Sequence, residues 1–343
     1  MKSESPTMST GSNYILVSPV KDEEKYIEKT IQAVLKQTIR PSRWIIVDDG
    51  SRDSTYSIAE KYAREFPWIT LVRHMRDGAR QPGSGIIRAF NVGYDLVRNA
   101  DYDFIVKFDC DLDFPPDYFE QLIVRFQQDP QLGIASGIFL ENRDGNWERI
   151  KMPAYHAAGQ TKMVRAKCFE DIGGFVVSRG WDTVDEIRAQ ALGWHTRHFE
   201  EMFFYHLKIE GSGIGFPRTS KMHGEIYYLT GGGHVFFFFK FLDRLVRGKP
   251  FVVSGMTLLW GYLKPLLTRR PRLVSDSEAK LYQQMLNRRM TNRLSSILRS
   301  VTFQQRPSKP NGAPQSSGGT DQKTSGTETP ERIPSPSGSP KIG

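Results

Sequence analysis

Three aspartates recur on alternate positions, Asp109, Asp111 and Asp113, in the segment KFDCDLDFPPDYFE at residues 107–120. They follow a short apolar run, Phe104-Ile105-Val106. Carboxylates this close repel one another, and packing has no use for them. A divalent cation bound to phosphate oxygens would use them, because magnesium and manganese are commonly held by one or two carboxylates plus substrate phosphates. A surface turn is the other reading of the same residues. On a strand, residues two apart point to the same side, so Asp109 and Asp111 share a face if strand geometry persists that far. No glycine-rich loop competes for a phosphate: there is no Walker pattern, and Gly83-Ser84-Gly85 does not follow a strand directly.

The elements that would position these acids alternate in period. YILVSPV (14–20), RWIIVDDGS (43–51), ITLV (69–72), FIVKF (104–108) and GIASGIFL (133–140) are short apolar runs of strand type. Between them, apolar residues follow helical spacing: Ile27, Ile31, Val34 and Leu35; Ile58, Tyr62 and Phe66; Ile86, Phe90 and Val97; Tyr118, Leu122 and Phe126. Strands alternating with helices predict an α/β fold, a mostly parallel central sheet flanked by helices in the Rossmann manner. Ligands of such sheets bind outside the carboxyl ends of the strands. Polar residues gather at those ends here: Lys21-Asp22-Glu23, Asp48-Asp49-Gly50-Ser51, and Asp109 to Asp113. Three acidic strand ends on one rim point to a site.

Composition narrows the setting. The chain has 343 residues, and its apolar fraction of 38% can fill a sizeable core. Two cysteines, Cys110 and Cys168, are too few for a disulfide framework or a zinc site and fit a reducing cytoplasm. The first residues, MKSESPTMSTGSN, lack the apolar stretch of a signal peptide. The net charge of +9 is concentrated: residues 240–300 hold thirteen Lys or Arg against Asp243, Asp276 and Glu278. Residues 303–343, rich in Pro, Ser, Gly and Thr without apolar periodicity, read as a disordered tail.

Four segments in order, VSPVKDEEKYIEKTIQAVLKQT (17–38), WIIVDDGSRDST (44–55), GSGIIRAFNVGY (83–94) and FDCDLDFPPDYFE (108–120), resemble successive motifs of glycosyltransferase family 2. The resemblance implies a GT-A fold, inverting chemistry and a nucleotide-diphosphate sugar donor. It implies that Pro19, Lys21 and Glu23 border the nucleotide base and ribose, and that Asp48 accepts a hydrogen bond from the base. Arg88 and Asn91 match the helix lining the donor pocket. Asp109 matches the first acid of the family's DXD motif, facing donor ribose or sugar, and Asp111 the second, which holds the magnesium or manganese bridging the diphosphate. Asp113 has no family role and reads as a turn residue before Pro115-Pro116.

SRGWDTVDEIRAQALGW (178–194) resembles the family's ED motif, with Trp181 in place of Glu and Asp182 on the base aspartate; Asp185 and Glu186 lie close by. A carboxylate in the first turn of a helix is kept ionised by the helix dipole, as a base must be. A plain N-cap is the bland alternative. Some relatives place a metal- or phosphate-binding histidine further on, which makes His206 a metal candidate; it opens a stretch that runs on to Arg218 and Lys221. The QxxRW motif of processive synthases is missing, which predicts one sugar per encounter.

The sequence divides into a catalytic region at 13–232, a basic, aromatic helical segment at 233–300 and the tail. HVFFFFKFLDRLV (234–246) and FVVSGMTLLWGYLKPLL (251–267) are strongly apolar but fall short of the ~20 residues of a spanning helix. Interleaved with Arg244, Arg247, Lys249, Arg269, Arg270 and Arg272, they read as interfacial helices on an anionic leaflet, with a buried helical subdomain as the alternative. No nucleic-acid motif accompanies the basic stripe. The expected protein is a cytoplasmic glycosyltransferase, peripheral on the inner face of the membrane, that acts on a glycan or lipid-linked acceptor in surface polysaccharide synthesis. Two rivals stand beside it: a polyprenyl-phosphate glycosyltransferase, and a catalytically silent sugar-nucleotide-binding scaffold.

Overall fold

A computed structural model describes residues 12–75, 83–208, 216–248 and 250–304. Its first half winds four parallel strands, β1 (Tyr14–Val20), β2 (Arg43–Asp48), β3 (Ile69–Arg73) and β4 (Phe104–Phe108), through helices α1 (Ile27–Leu35), α2 (Thr55–Glu65) and α3 (Ser84–Asp95). β1 and β4 are buried on both faces, which is why they read as unbroken apolar runs. Tyr14, Leu16, Trp44 and Val106 fill one core layer; Ile15, Val17, Ile45 and Ile105 fill the layer on the other side. α3 lies close on that second side: a Cβ on Gly93 would come within 2.7 Å of Val17 and 2.8 Å of Val47. Glycine is what permits the approach.

The second half mixes directions. It comprises β5 (Leu112–Asp113), α4 (Tyr118–Gln128), β6 (Leu132–Arg143), β7 (Asn146–Arg149), β8 (Thr161–Arg165), α5 (Ala166–Asp171), α6 (Trp181–Ala191) and β9 (His195–His206). The strand order is β3-β2-β1-β4-β8-β6-β9-β5, with β7 hairpinned onto β6. β8 enters antiparallel between β4 and β6 and joins the two halves. β6 and β9 are parallel, and β9 returns antiparallel to β5, so that His206 faces Leu112. Asp113 is therefore in a strand and not in a turn. Its Oδ1 accepts from the Phe114 amide at 3.0 Å, and Lys29 lies 3.4 Å from Oδ2.

Four more helices follow: α7 (Phe216–Leu229), α8 (His234–Arg247), α9 (Val253–Leu267) and α10 (Asp276–Gln304). Tyr227, Tyr228, Phe237, Leu258, Tyr262, Tyr282 and Leu286 pack there with Val184 and Ile187 of α6 into a third core. The helical layer thus begins at α7, ahead of residue 233, and shares its core with the catalytic region. α7 and α9 cross backbone to backbone: a Cβ on Gly224 would collide with Leu258 O and lie 2.8 Å from Tyr262 N, and one on Gly261 would collide with Lys221 O. No described helix is long and apolar enough to cross a membrane. α10 carries the chain to Gln304, two residues into the expected tail; residues 305–343 lie outside the described structure.

Candidate active site

The rim is assembled by strand pairing. β1 and β2 run side by side with Val20 opposite Asp48, which brings the two polar strand ends together. The Lys21 ammonium donates to the Asp49 carbonyl at 3.0 Å, and the Glu23 amide donates to Thr55 Oγ1 at 2.8 Å. Asp48 is wholly buried; its Oδ1 accepts from the Ser51 amide at 3.1 Å, while Arg73 stands 3.7 Å from Oδ2. Lys208, at the end of β9's strand run, reaches back to Glu23 at 2.7 Å. Pro19, Lys21, Glu23 and Asp48 therefore share one edge. Arg88 and Asn91 are three residues apart on one face of α3, whose leading Gly83 abuts Arg179 just before α6. The described contacts do not join Asn91 to the rim acids. The stretch after His206 is described only to Lys208 and again from residue 216, so most of the predicted phosphate-facing loop lies outside the described residues.

The aspartates divide their work. The Lys107 ammonium, itself buried in β4, holds Asp109 at 2.6 Å. Burial pushes the Asp109 carboxyl up against the pull of Lys107. Asp111 has its Oδ2 3.4 Å from His206 Nε2, and its buried Oδ1 has no hydrogen-bond partner among the described residues. Burial would raise Asp111, but the hydrogen bond and charge of His206, with Lys208 and Lys107, outweigh it and hold the carboxyl low. His206 also has Nδ1 3.3 Å from Glu141 Oε1. Burial pulls the imidazole down, yet its bonds to Asp111 and Glu141 prevail and lift it to about 10.

A divalent cation fits this arrangement in a particular way. Among the described residues no three His, Cys, Asp or Glu side chains converge to hold a metal by themselves. Asp111 offers an orphaned carboxylate oxygen and His206, once a cation displaces its proton, a nitrogen beside it. A two-donor set suits a cation that takes its remaining ligands from phosphate and water, as magnesium and manganese do.

Asp182 stands across from the rim. Asp182, Trp181 and His156 line a cavity of about 310 Å³ together with Lys107 and Asp109. A larger, more open depression of about 880 Å³ lies around Gly193, Trp194 and His195, beyond the other end of α6, and contains none of the predicted site residues. α6 starts after Gly180, whose φ of 79° is left-handed and natural for glycine. Asp185 and Glu186, the nearby acids, are sealed in the interior: both meet the fully buried Lys162 ammonium at 3.0 Å, and the same ammonium donates to the Asp182 carbonyl at 2.7 Å. Burial pushes Asp185 up to about 7, against the pull of Lys162. Trp181 lies between two cations, with Lys107 5.6 Å and Lys162 5.2 Å from its ring.

The sequence reading missed Lys107, Lys162, Glu141 and His156. For the two lysines a signal existed: each interrupts a strand that is otherwise buried, and a buried lysine needs a carboxylate. Glu141 and His156 carry no such local mark.

Sheet order, acidic rim and the facing helix together form the GT-A fold. The solved structure of GalNAc-T7 with UDP, GalNAc and Mn2+ superposes with a TM-score of 0.53 at 12% identity, over 83% of this chain and 58% of that one. Residues 15–182 match the family described as glycosyl transferase family 2. Poly-beta-1,6-N-acetyl-D-glucosamine synthase of Staphylococcus aureus (strain COL) is 29% identical over 118 residues, 34% of this chain and 26% of that protein. EpsH of Bacillus subtilis (strain 168) is 32% identical over 116 residues, 34% of this chain and 30% of its own length. The chain thus spans about a quarter of the length of the synthases it matches. Residues 15–182 of this chain are thus similar to a glycosyltransferase family 2 domain.

Proposed function

We propose that the protein transfers one sugar, with inversion, from a nucleotide-diphosphate sugar to a hydroxyl of a glycan or lipid-linked acceptor, in the making of a surface polysaccharide. The observation that carries this is the single cavity lined by both Asp109 and Asp182. One matches the donor-sugar acid and the other the family's base, and inverting transfer needs a base on the face opposite the leaving group. Asp48, Lys21 and Glu23 receive the nucleoside, Asp109 the donor sugar. Asp111 and His206 would hold magnesium or manganese, and the cation would supply charge neutralisation for a diphosphate leaving group. Asp182 takes the proton of the attacking hydroxyl. Lys162 fixes the backbone of that residue, and the Asp182 carboxylate is left to the cavity. Asp182 sits in the first turn of α6, where the helix dipole favours a negative charge.

The test is a thermal-shift screen of nucleotide sugars with manganese, begun with UDP-GlcNAc, followed by assay of donor consumption. Stabilisation by one nucleotide sugar, dependent on manganese, and consumption of that donor are expected. A chain stabilised by none of them sinks the reading.

The reading includes a place at the cytoplasmic face of a membrane. On α8, Val235, Phe238, Phe239, Leu242 and Val246 recur at helical spacing and are exposed, Val246 at 71%. Phe251, ahead of α9, and Met256, Trp260 and Leu267 on that helix are exposed as well. Arg247, Lys264 and Arg269 edge them, which matches an anionic headgroup layer. Phe238→Ser combined with Trp260→Ser should abolish flotation with anionic vesicles and leave the melting temperature near that of the parent. Flotation undiminished in the double variant would refute this placement.

A further inference from the structure

The cavity between Asp109 and Asp182 has a wall that the proposed chemistry leaves unused, and His156 is on it. The ring is held from one side only. Its Nδ1 lies 2.9 Å from Glu186 Oε2. Glu186 is buried and ionised: its Oε1 accepts from Lys162 at 3.0 Å and from the Ala157 amide at 2.8 Å, and these groups with His156 hold its carboxyl low in spite of burial. A carboxylate only accepts, so the proton of this bond sits on Nδ1. The backbone is pinned as well, because His198 Nδ1 meets the His156 carbonyl at 2.8 Å. Among the described residues Nε2 has no partner, and the side chain keeps 21% of its surface open. A ring so firmly oriented with one polar atom left over is built to present that atom.

Glu186 lies four residues after Asp182, on the same face of α6. His156 is therefore set on the Asp182 side of the cavity, facing the incoming group, with Asp109 on the donor side. We infer that His156 is an acceptor-binding residue, whose Nε2 holds a hydroxyl of the acceptor sugar next to the Asp182 carboxylate. A hydroxyl is the ligand class that suits it, since a hydroxyl both donates and accepts. It pairs with Nε2 whether the ring is neutral or protonated. The inference rests on the glycosyltransferase reading and adds to it a side chain that selects the acceptor.

The experiment uses the full chain and the nucleotide sugar that stabilises it best. Donor consumption is measured alone and with methyl β-glycosides of glucose, galactose, mannose and N-acetylglucosamine as acceptor probes. His156→Asn places an amide nitrogen where Nδ1 stood, so it keeps the bond to Glu186 and loses the reach of Nε2. In the parent, at least one glycoside accelerates donor consumption. In His156→Asn the acceptor efficiency falls roughly 10- to 100-fold, the scale of a lost hydrogen bond involving a charged group, while donor affinity and melting temperature stay near parental. His156→Gln, whose amide reaches the Nε2 position, recovers part of the loss. An Asn variant that answers the glycoside as the parent does overturns the inference and leaves the transferase reading intact. A parent that binds donor yet responds to no glycoside also overturns it. A parent that binds no nucleotide sugar removes the reading on which it stands.

Discussion

Two groups of buried carboxylates, one around Lys162 and one along the strand ends, are finished to different degrees. In the Lys162 group every carboxylate oxygen is used: Asp185 places both on the ammonium, and Glu186 divides its pair between Lys162, the Ala157 amide and His156. On the rim, among the described residues, Asp111 Oδ1 is buried without a hydrogen bond and Asp48 Oδ2 has Arg73 alone, at 3.7 Å. Removing a charge from water is costly unless partners replace the water. The closed group has its partners within the fold and serves to hold a shape. The rim keeps a deficit, and a cation or a nucleotide is what would fill it. Asp182 touches both, its carbonyl held by Lys162 of the closed group and the residue lining one cavity with Asp109 of the rim.

This contrast can be broken at either end. The largest effect is expected at the junction. Asp182→Asn keeps size and a capping oxygen, and should lower turnover ~10²- to 10⁴-fold, the usual worth of general-base help, with donor affinity unchanged. Near-normal transfer by this variant would show that the base is elsewhere. Next comes the closed group: Lys162→Met strands two buried carboxylates, and the loss of one partner from such a pair costs about 3–5 kcal/mol. Chemical denaturation should show that loss in the absence of any ligand; an unchanged midpoint would mean that Lys162 does not compensate the buried acids as described. The open group should behave in the opposite manner. Asp111→Asn should leave folding stability near parental and weaken manganese-dependent nucleotide binding by at least the roughly 10-fold that even outer-shell substitutions cost at metal sites. Equal nucleotide affinity in manganese for parent and variant would remove Asp111 from the metal.

The smallest expected effect is a slope. Burial works against the His156 imidazolium, but Glu186, and less so Asp182, raise its pKa above the ordinary 6.5, with Lys162 opposing. The folded chain then holds this proton more tightly than the unfolded one. The associated stability is complete below the ordinary value and fades as pH rises through the folded one. Melting temperatures of parent and His156→Asn, followed between about pH 6 and pH 9, should converge as pH rises. Parallel curves would show that His156 does not titrate against Glu186.

Much of this was legible in the chain. Tyr14–Val20 and Phe104–Phe108 announce themselves because both faces are covered, so nearly every residue must be apolar. The rim acids stand out because they follow directly on such runs. Asp182 was singled out by the resemblance of 178–194 to a family motif, and it lines the cavity with Asp109. What escaped is long-range: His156 and Glu186 meet across thirty positions, and Glu141 and His206 across sixty-five, with nothing local to mark either pair. The entry of β8 between β4 and β6 escaped for the same reason, since direction is decided by a pairing partner and not by composition. The phenylalanine run after His234 looks uniform in the sequence. The helix sorts it, turning Phe237 inward and Phe238 and Phe239 outward, so that the two readings of this segment, buried layer and exposed apolar face, each describe one side.

The crossing of α7 and α9 has a practical consequence. Gly224 and Gly261 let the two backbones touch, and Ile226, half a turn further along α7, presses on Gly180 at the head of α6. Cutting the chain before α9 would bare a surface shaped to fit another backbone and would unload the turn that sets Asp182. A shortened protein that lost both vesicle binding and transfer would therefore test neither proposal. The proposed attachment and the proposed catalysis are to be tested by point substitution and not by deletion.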